Sequence, residues 1–192
     1  MKLLRQVWKK KSRTRHPAVF LDRDGTVIRF RRLVSRKRDV RPYVGATRAL
    51  KTLEQAGFLL IVFSNKPDIE KKENTLEEVK EMNTHMRQLF ADVGVFIDAI
   101  YCCPHRHGSD CTCRKPSLGL LHAAQKDFKI DMDLSWLIGD TTRDMEMGRR
   151  AKLRTIRVAT GDHGPDNQFF KTKGEFAARD MHAAVRIIEK TT

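Results

Sequence analysis

Apolar residues come along this chain in short unbroken runs, each closed by polar residues. PAVFLD (17–22), LLIVFSN (59–65), FIDAIYC (96–102), SWLIGD (135–140) and RTIRVAT (154–160) are the length of buried strands. Between them the spacing turns helical. Leu50, Leu53 and Ala56 mark one face of GATRALKTLEQAGF (45–58), where Gly57 is placed to stop the helix. Leu76, Val79, Met82, Met86 and Leu89 form a stripe along LEEVKEMNTHMRQLF (76–90). SLGLLHAAQKDF (117–128), RDMEMGRRAK (143–152) and AARDMHAAVRIIEK (177–190) predict three further helices. Strands that alternate with helices imply parallel strands joined by helical crossovers, so the expected fold class is α/β, a three-layer α/β/α sandwich on a mainly parallel, Rossmann-like sheet.

At 192 residues with 40% hydrophobic content, the chain can bury one substantial core. The expected division is a basic N-terminal extension at 1–16 and a single domain at 17–192. The formal net charge of +14 is unevenly spread: residues 1–16 hold seven Lys or Arg and no acid, and RFRRLVSRKRDVR (29–41) holds seven more against Asp39 alone. Such surfaces attract phosphorylated ligands or polyanions, although a solvated basic tail and flap with no specific partner gives the same composition. The basic start of the chain does not read as a secretory signal, and no apolar run reaches the roughly 20 residues of a membrane span. A cytoplasmic protein without membrane contact is the expectation. Nothing in the sequence suggests a repeated interface stripe, so a monomer is expected.

In parallel sheets ligands gather beyond the carboxyl ends of the strands. Here those ends read Asp22-Arg23-Asp24-Gly25-Thr26, then Ser64-Asn65, then a cysteine-rich segment leading to Arg114-Lys115, then Gly139-Asp140 with Asp144 beyond. Each has a bland reading, since Asp and Ser cap helices and Lys is usually solvated. Together they deliver acids, a hydroxyl and cations to one crevice.

The segment YCCPHRHGSDCTCRKP (101–116) holds all four cysteines. Cys103-x-His105 and Cys111-x-Cys113 supply four ligands of the kind a tetrahedral zinc site uses, and four protein ligands leave no open position, so a zinc here would be structural. Its loop, 102–113, would position Arg114 and Lys115. Cys102 and His107 are spare candidates that could replace one of the four, and redox chemistry of the thiols is an alternative.

FLDRDGTVI, FSN, RKP and IGDTTRD resemble the four motifs of the haloacid dehalogenase superfamily of aspartate-nucleophile phosphatases, over residues 17–160. The cysteine and histidine order running into RKP is similar to the branch that holds histidinol phosphatases and D-glycero-D-manno-heptose 1,7-bisphosphate phosphatases. The resemblance implies a haloacid dehalogenase-like fold with a zinc-bound loop and no large cap domain. It implies that Asp22 attacks phosphorus, that Asp24 is general acid and base, that Ser64 and Lys115 bind the phosphoryl group, and that Asp22, the Asp24 carbonyl and Asp140 hold Mg2+. Asp144 would orient Lys115 or a metal-bound water, or serve only as a helix-start acid. Substrate contacts would come from Arg114, from Asn65 and from the segment Phe30–Leu33 with Arg31 and Arg32.

The substrate this implies is a small sugar bisphosphate, with histidinol phosphate as the alternative within the branch. Three departures bear on it. Ser64-Asn65-Lys66-Pro67-Asp68 replaces the branch's usual T-N-Q-S-G or T-N-Q-D-G, Thr141 stands where Lys or Arg is common, and the basic segments exceed what a small sugar phosphate requires. A nucleic-acid 3'-end phosphatase would exploit that charge and is the rival, but Phe30 alone among 29–41 is aromatic, so nucleic acid is not the favoured partner. A non-catalytic zinc-stabilised binding protein gives no reason for Asp22, Asp24, Lys115 and Asp140 to occur together.

Overall fold

The computed structural model describes residues 1–10, 12–29, 34–161 and 170–191. The chain runs β1 (Leu4–Val7), β2 (His16–Asp22), α1 (Ala46–Gln55), β3 (Leu59–Asn65), α2 (Leu76–Ala91), β4 (Ala99–Cys103), α3 (Gly119–Asp127), β5 (Ile130–Gly139), α4 (Thr142–Ala151), β6 (Arg154–Val158), β7 (Phe176–Ala178) and α5 (Met181–Thr191). The seven strands form one sheet in the order β1-β4-β3-β2-β5-β6-β7. Only the β1–β4 pair is antiparallel.

Both faces of this sheet are covered, which is why the central strands read as continuous apolar runs. Side chains alternate across a strand, and the alternation sorts β2 into two cores. Val19 and Leu21 join α1, α2 and α5, through residues such as Leu50, Met86 and Val185. Ala18 and Phe20 join α3 and α4, through Leu120, Ala124 and Met145. Among the described residues no cap domain interrupts the sandwich, and no helix is long and apolar enough to cross a membrane.

The strand order positions the site. From β2 the chain builds outward through β3 and β4, then crosses back to lay β5 and β6 on the other side of β2. Crossovers therefore leave β2 in opposite directions, and a crevice opens at its carboxyl end. Asp22 pairs with Phe63, so Ser64 lies one residue beyond it; Leu21 pairs with Ile138, which brings Gly139 level with Asp22 and leaves Asp140 just beyond.

Several elements differ from expectation. Residues 4–7, inside the segment expected as a basic extension, form an edge strand whose Arg5 guanidinium pairs with Asp127 of α3. Ala177 and Ala178, expected at the start of the last helix, instead lie in β7, which pairs with β6, and α5 starts behind Asp180, whose side chain accepts from the Ala183 N–H at 2.8 Å. β5 reaches back to Ile130 through a half-buried polar stretch that carries little strand signal. On α2 the buried stripe is Val79, Met82, Asn83, Met86 and Phe90. Leu76 is exposed and Leu89 only partly buried, because over eleven residues the 3.6 period favours position 90 over 89.

Candidate active site

Four chain segments converge where β2, β3 and β5 end. The Asp22, Asp140 and Asp144 side chains are all buried, and an oxygen from each lies within 4.8 Å of the others. Lys115 enters from the far side of the cysteine loop. Its buried ammonium donates to Asp22 Oδ1, to Asp144 Oδ1 at 2.7 Å and to the Phe63 carbonyl at 3.2 Å. These contacts hold it well above the usual lysine range despite burial.

Three buried carboxylates against one ammonium leave excess negative charge. Burial, with repulsion from Asp22 and Asp144, pushes Asp140 up to about 9. Burial pushes Asp22 up to about 6 even with Lys115 in contact. A hard divalent cation relieves this repulsion, and oxygen donors at this spacing are what Mg2+ takes. The backbone is shaped to keep the acids this close. Gly25 has φ +98°, and a Cβ there would meet Asp140 Oδ2 at 2.5 Å, so both conformation and space call for glycine.

Asp24 points elsewhere. Its carboxylate accepts from Arg23 Nε at 2.9 Å and Nη2 at 3.0 Å, and from the Ser64 hydroxyl at 3.3 Å. Burial works against the charge, yet Arg23 and Lys66 outweigh it and hold Asp24 below the usual carboxylate range. Arg23 is itself buried and donates Nη1 to Asn83 Oδ1 at 2.8 Å. Lys66 is buried too and pairs with Asp68 at 3.2 Å, while Asp68 accepts from Asn74 at 2.6 Å. The segment that departs from the family's glycine turn is thus pinned by a buried ion pair.

Cys103, His105, Cys111 and Cys113 come together with one donor atom each within 4.8 Å of the rest. Cys113 Sγ lies 3.1 Å from Cys103 Sγ and 3.3 Å from His105 Nδ1, and Cys103 Sγ lies 3.8 Å from Cys111 Sγ. Sulfurs around a tetrahedral zinc stand roughly 3.8 Å apart, from Zn–S bonds of about 2.3 Å; the Cys103–Cys111 pair has this spacing, Cys113 stands closer to Cys103, and three sulfurs with one imidazole nitrogen are the donor chemistry that zinc takes. The hydrogen bonds that Cys113 shares with Cys103 and His105 push it down to about 6 against the effect of burial. Strand alternation explains why Cys102 is not in the cluster: it faces the opposite core from Cys103, 3.5 Å from the Asn83 amide. His107 is exposed and also outside the cluster.

The loop built on these four residues carries Arg114, whose Nη1 donates to the His105 carbonyl at 2.9 Å. Both ends of the Asn65 amide are taken by the backbone of Lys115, accepting from its N–H at 3.0 Å and donating to its carbonyl at 3.3 Å. Asn65 therefore fixes Lys115 beside Asp22. Asp144 combines both of its expected roles: it binds Lys115, and its Oδ2 accepts from the Thr141 N–H at 3.2 Å at the start of α4. Arg31, Arg32 and the rest of Phe30–Leu33 lie outside the described residues. Arg23 and Arg143 sit inside the first and fourth motifs but carry no role assigned from the sequence, and Asn83 lies in no motif at all.

The HAD-hydrolase-like family model matches residues 112–184. The D-glycero-beta-D-manno-heptose-1,7-bisphosphate 7-phosphatase of Photorhabdus laumondii is 36% identical over 153 residues, which span 76% of this chain and 81% of that one. Its counterpart in Helicobacter pylori J99 is 33% identical, spanning 77% of this chain and 85% of its own. Among solved structures, the D,D-heptose 1,7-bisphosphate phosphatase of B. bronchiseptica, complexed with magnesium and phosphate, superposes with a TM-score of 0.83 at 22% identity, covering 92% of this chain and 99% of that one. The Burkholderia thailandensis D,D-heptose 1,7-bisphosphate phosphatase does so with a TM-score of 0.68 at 22% identity, covering 90% and 98%.

Proposed function

The chain belongs to the haloacid dehalogenase-like phosphatases, in the branch of the heptose bisphosphate phosphatases, and on that footing we propose that it is a Mg2+-dependent phosphomonoesterase acting through an aspartyl-phosphate on a sugar bisphosphate. The observation that carries this reading is the Lys115 ammonium bonded at once to Asp22 and Asp144, with Asp140 alongside.

In the first half-reaction an Asp22 carboxylate oxygen bonds to phosphorus as the ester P–O bond breaks, and Asp24 passes a proton to the departing alkoxide. In the second, water attacks the same phosphorus, Asp24 takes its proton, and inorganic phosphate leaves a regenerated Asp22. Lys115 and the Ser64 hydroxyl stabilise charge on the transferring phosphoryl oxygens. Asp24 as placed is ionised and held by Arg23, ready to accept a proton; the acid half of its role needs the group to leave Arg23 and to take up a proton from solvent before it faces the substrate oxygen. Asp22, the Asp24 carbonyl and Asp140 would hold Mg2+, which supplies charge neutralisation for a dianionic substrate meeting an anionic nucleophile. Cys103, His105, Cys111 and Cys113 would hold a structural zinc that fixes the path of Arg114 and Lys115.

The choice of substrate is supported by the curated relatives, whose names specify heptose 1,7-bisphosphate. Phosphate release is to be measured with Mg2+ on that bisphosphate, on histidinol phosphate and on a 3'-phosphorylated oligonucleotide at two salt concentrations. The bisphosphate should be hydrolysed with the highest kcat/KM. Preference for the oligonucleotide, weakened by salt, would instead assign the basic surface to a nucleic-acid backbone.

A further inference from the structure

The four residues of the cysteine cluster come as two pairs, Cys103 with His105 and Cys111 with Cys113. Between the pairs the chain turns at 106–109, where the Ser109 N–H donates to the Arg106 carbonyl at 3.3 Å and Gly108 takes φ +81°. Arg106, His107 and Gly108 are exposed, so burial does not fix this turn. Glu70 fixes it instead. Its Oε2 accepts from the Arg106 N–H and from the Ser109 hydroxyl at 3.0 Å, which are the two ends of the turn. Its own N–H donates to the Pro104 carbonyl at 3.3 Å, and the Lys66 N–H donates to the Cys103 carbonyl at 2.7 Å. The segment that carries Glu70 is therefore bonded along the first ligand pair as well.

An anchor must itself be held. Pro67 restricts the backbone where the branch usually has a glycine turn. Asp68 Oδ2 accepts from the buried Lys66 ammonium at 3.2 Å and from the buried Asn74 amide at 2.6 Å, and the Asp68 carbonyl accepts from the Glu73 and Asn74 N–H groups at 2.9 and 3.2 Å. Ile69, next to Glu70, is buried in the core. The Lys-Pro-Asp departure thus gives Glu70 a rigid base from which to reach the loop.

We propose that Glu70 is a positioning residue for the cysteine cluster: by holding both ends of the 106–109 turn through its carboxylate, it sets the approach of one ligand pair to the other before a metal binds. The proposal rests on the reading of the cluster as a structural zinc site and deepens it. Ligands that are already gathered lose less freedom on binding, and partners that orient a metal's ligands are typically worth about 10- to 100-fold in its affinity. Bonds to an ionised carboxylate are the stronger kind, which lets a half-buried side chain hold an exposed turn.

The test is zinc transfer from the purified, zinc-loaded protein to a chromophoric chelator, for wild type, Glu70→Gln and Glu70→Ala. Release from Glu70→Ala should be at least about tenfold faster than from wild type, with Glu70→Gln, which keeps an oxygen acceptor at the same reach, in between. Amide hydrogen exchange on the same proteins adds a local reading. The Arg106 amide should lose protection in Glu70→Ala while the amides of β3 keep theirs, a contrast that a general loss of stability would not give. Equal release from wild type and Glu70→Ala, or an Arg106 amide that exchanges alike in both, would overturn the role of Glu70. A wild type that carries no zinc would overturn the zinc reading itself, and the proposal with it, so the two failures are told apart.

Discussion

Asn83 on α2 accepts a hydrogen bond from the buried guanidinium of Arg23 at 2.8 Å, and the same guanidinium grips both oxygens of Asp24. A polar residue thus occupies the apolar stripe of a helix in order to hold the arginine between the two motif aspartates. Asn83 also donates to Gln6 of β1 at 2.9 Å, which ties the edge strand to the same network.

Asn83→Leu keeps the branched shape of the side chain but leaves one nitrogen of a buried charged donor, Arg23 Nη1, without its partner. Urea denaturation should show a loss of about 1–3 kcal/mol. Because the freed arginine no longer fixes Asp24, kcat should fall with KM nearly kept. A variant as stable and as fast as wild type would show that the Arg23–Asn83 bond does nothing for Asp24.

The carboxylate cluster gives stability a definite pH dependence. Asp22 and Asp140 titrate in the fold at about 6 and about 9, above the roughly 3.9 of an unfolded aspartate. Between those values the folded state binds more protons than the unfolded one, so the cluster's contribution falls as pH rises from about 4 to about 9. On the proposed reading Mg2+ would bind the ionised cluster, so the Tm gain on adding Mg2+ should be larger at about pH 8.5 than at about pH 5.5, with Asp140→Asn losing most of that difference. A gain independent of pH would place Mg2+ elsewhere.

The cysteine loop predicts a contrast between neighbours. Cys111→Ser should lower bound zinc, measured by elemental analysis of purified protein, and raise KM because Arg114 hangs from the His105 carbonyl. Cys102→Ala, one residue before Cys103 but on the opposite core, should leave zinc content unchanged. Zinc lost from the second and kept in the first would reverse the ligand assignment.

Gly25→Ala forces a Cβ toward Asp140 at a positive φ. Turnover should drop by at least about tenfold, as displacements near 1 Å at reacting groups cost up to about a hundredfold. Near-wild-type kcat would mean that the closeness of Gly25 to Asp140 is not needed for catalysis.

The strand ends were legible because unbroken apolar runs and the residues that close each run are both local signals. Asp22, Ser64, Lys115 and Asp140 could be brought to one crevice from the topology alone, since parallel strands all deliver their carboxyl ends to the same edge. What the sequence hides is side-chain direction. Nothing local says that Arg23 turns back to Asp24, that Asn83 belongs in a buried stripe, or that Asn65 spends its amide on the Lys115 backbone. β1 was hidden for another reason: Leu4–Val7 is four residues with one exposed arginine, and it becomes a strand only because the β4 edge offers it partners.

If Asp22 takes the phosphoryl group, the enzyme carries a covalent adduct there during turnover. Rapid quenching of the Mg2+-loaded enzyme acting on the bisphosphate, followed by peptide mass spectrometry, detects it. A phosphoryl adduct is expected on the peptide that contains Asp22, absent in Asp22→Asn, which should fold but not turn over. An adduct on another residue, or turnover by Asp22→Asn near the wild-type rate, would contradict it.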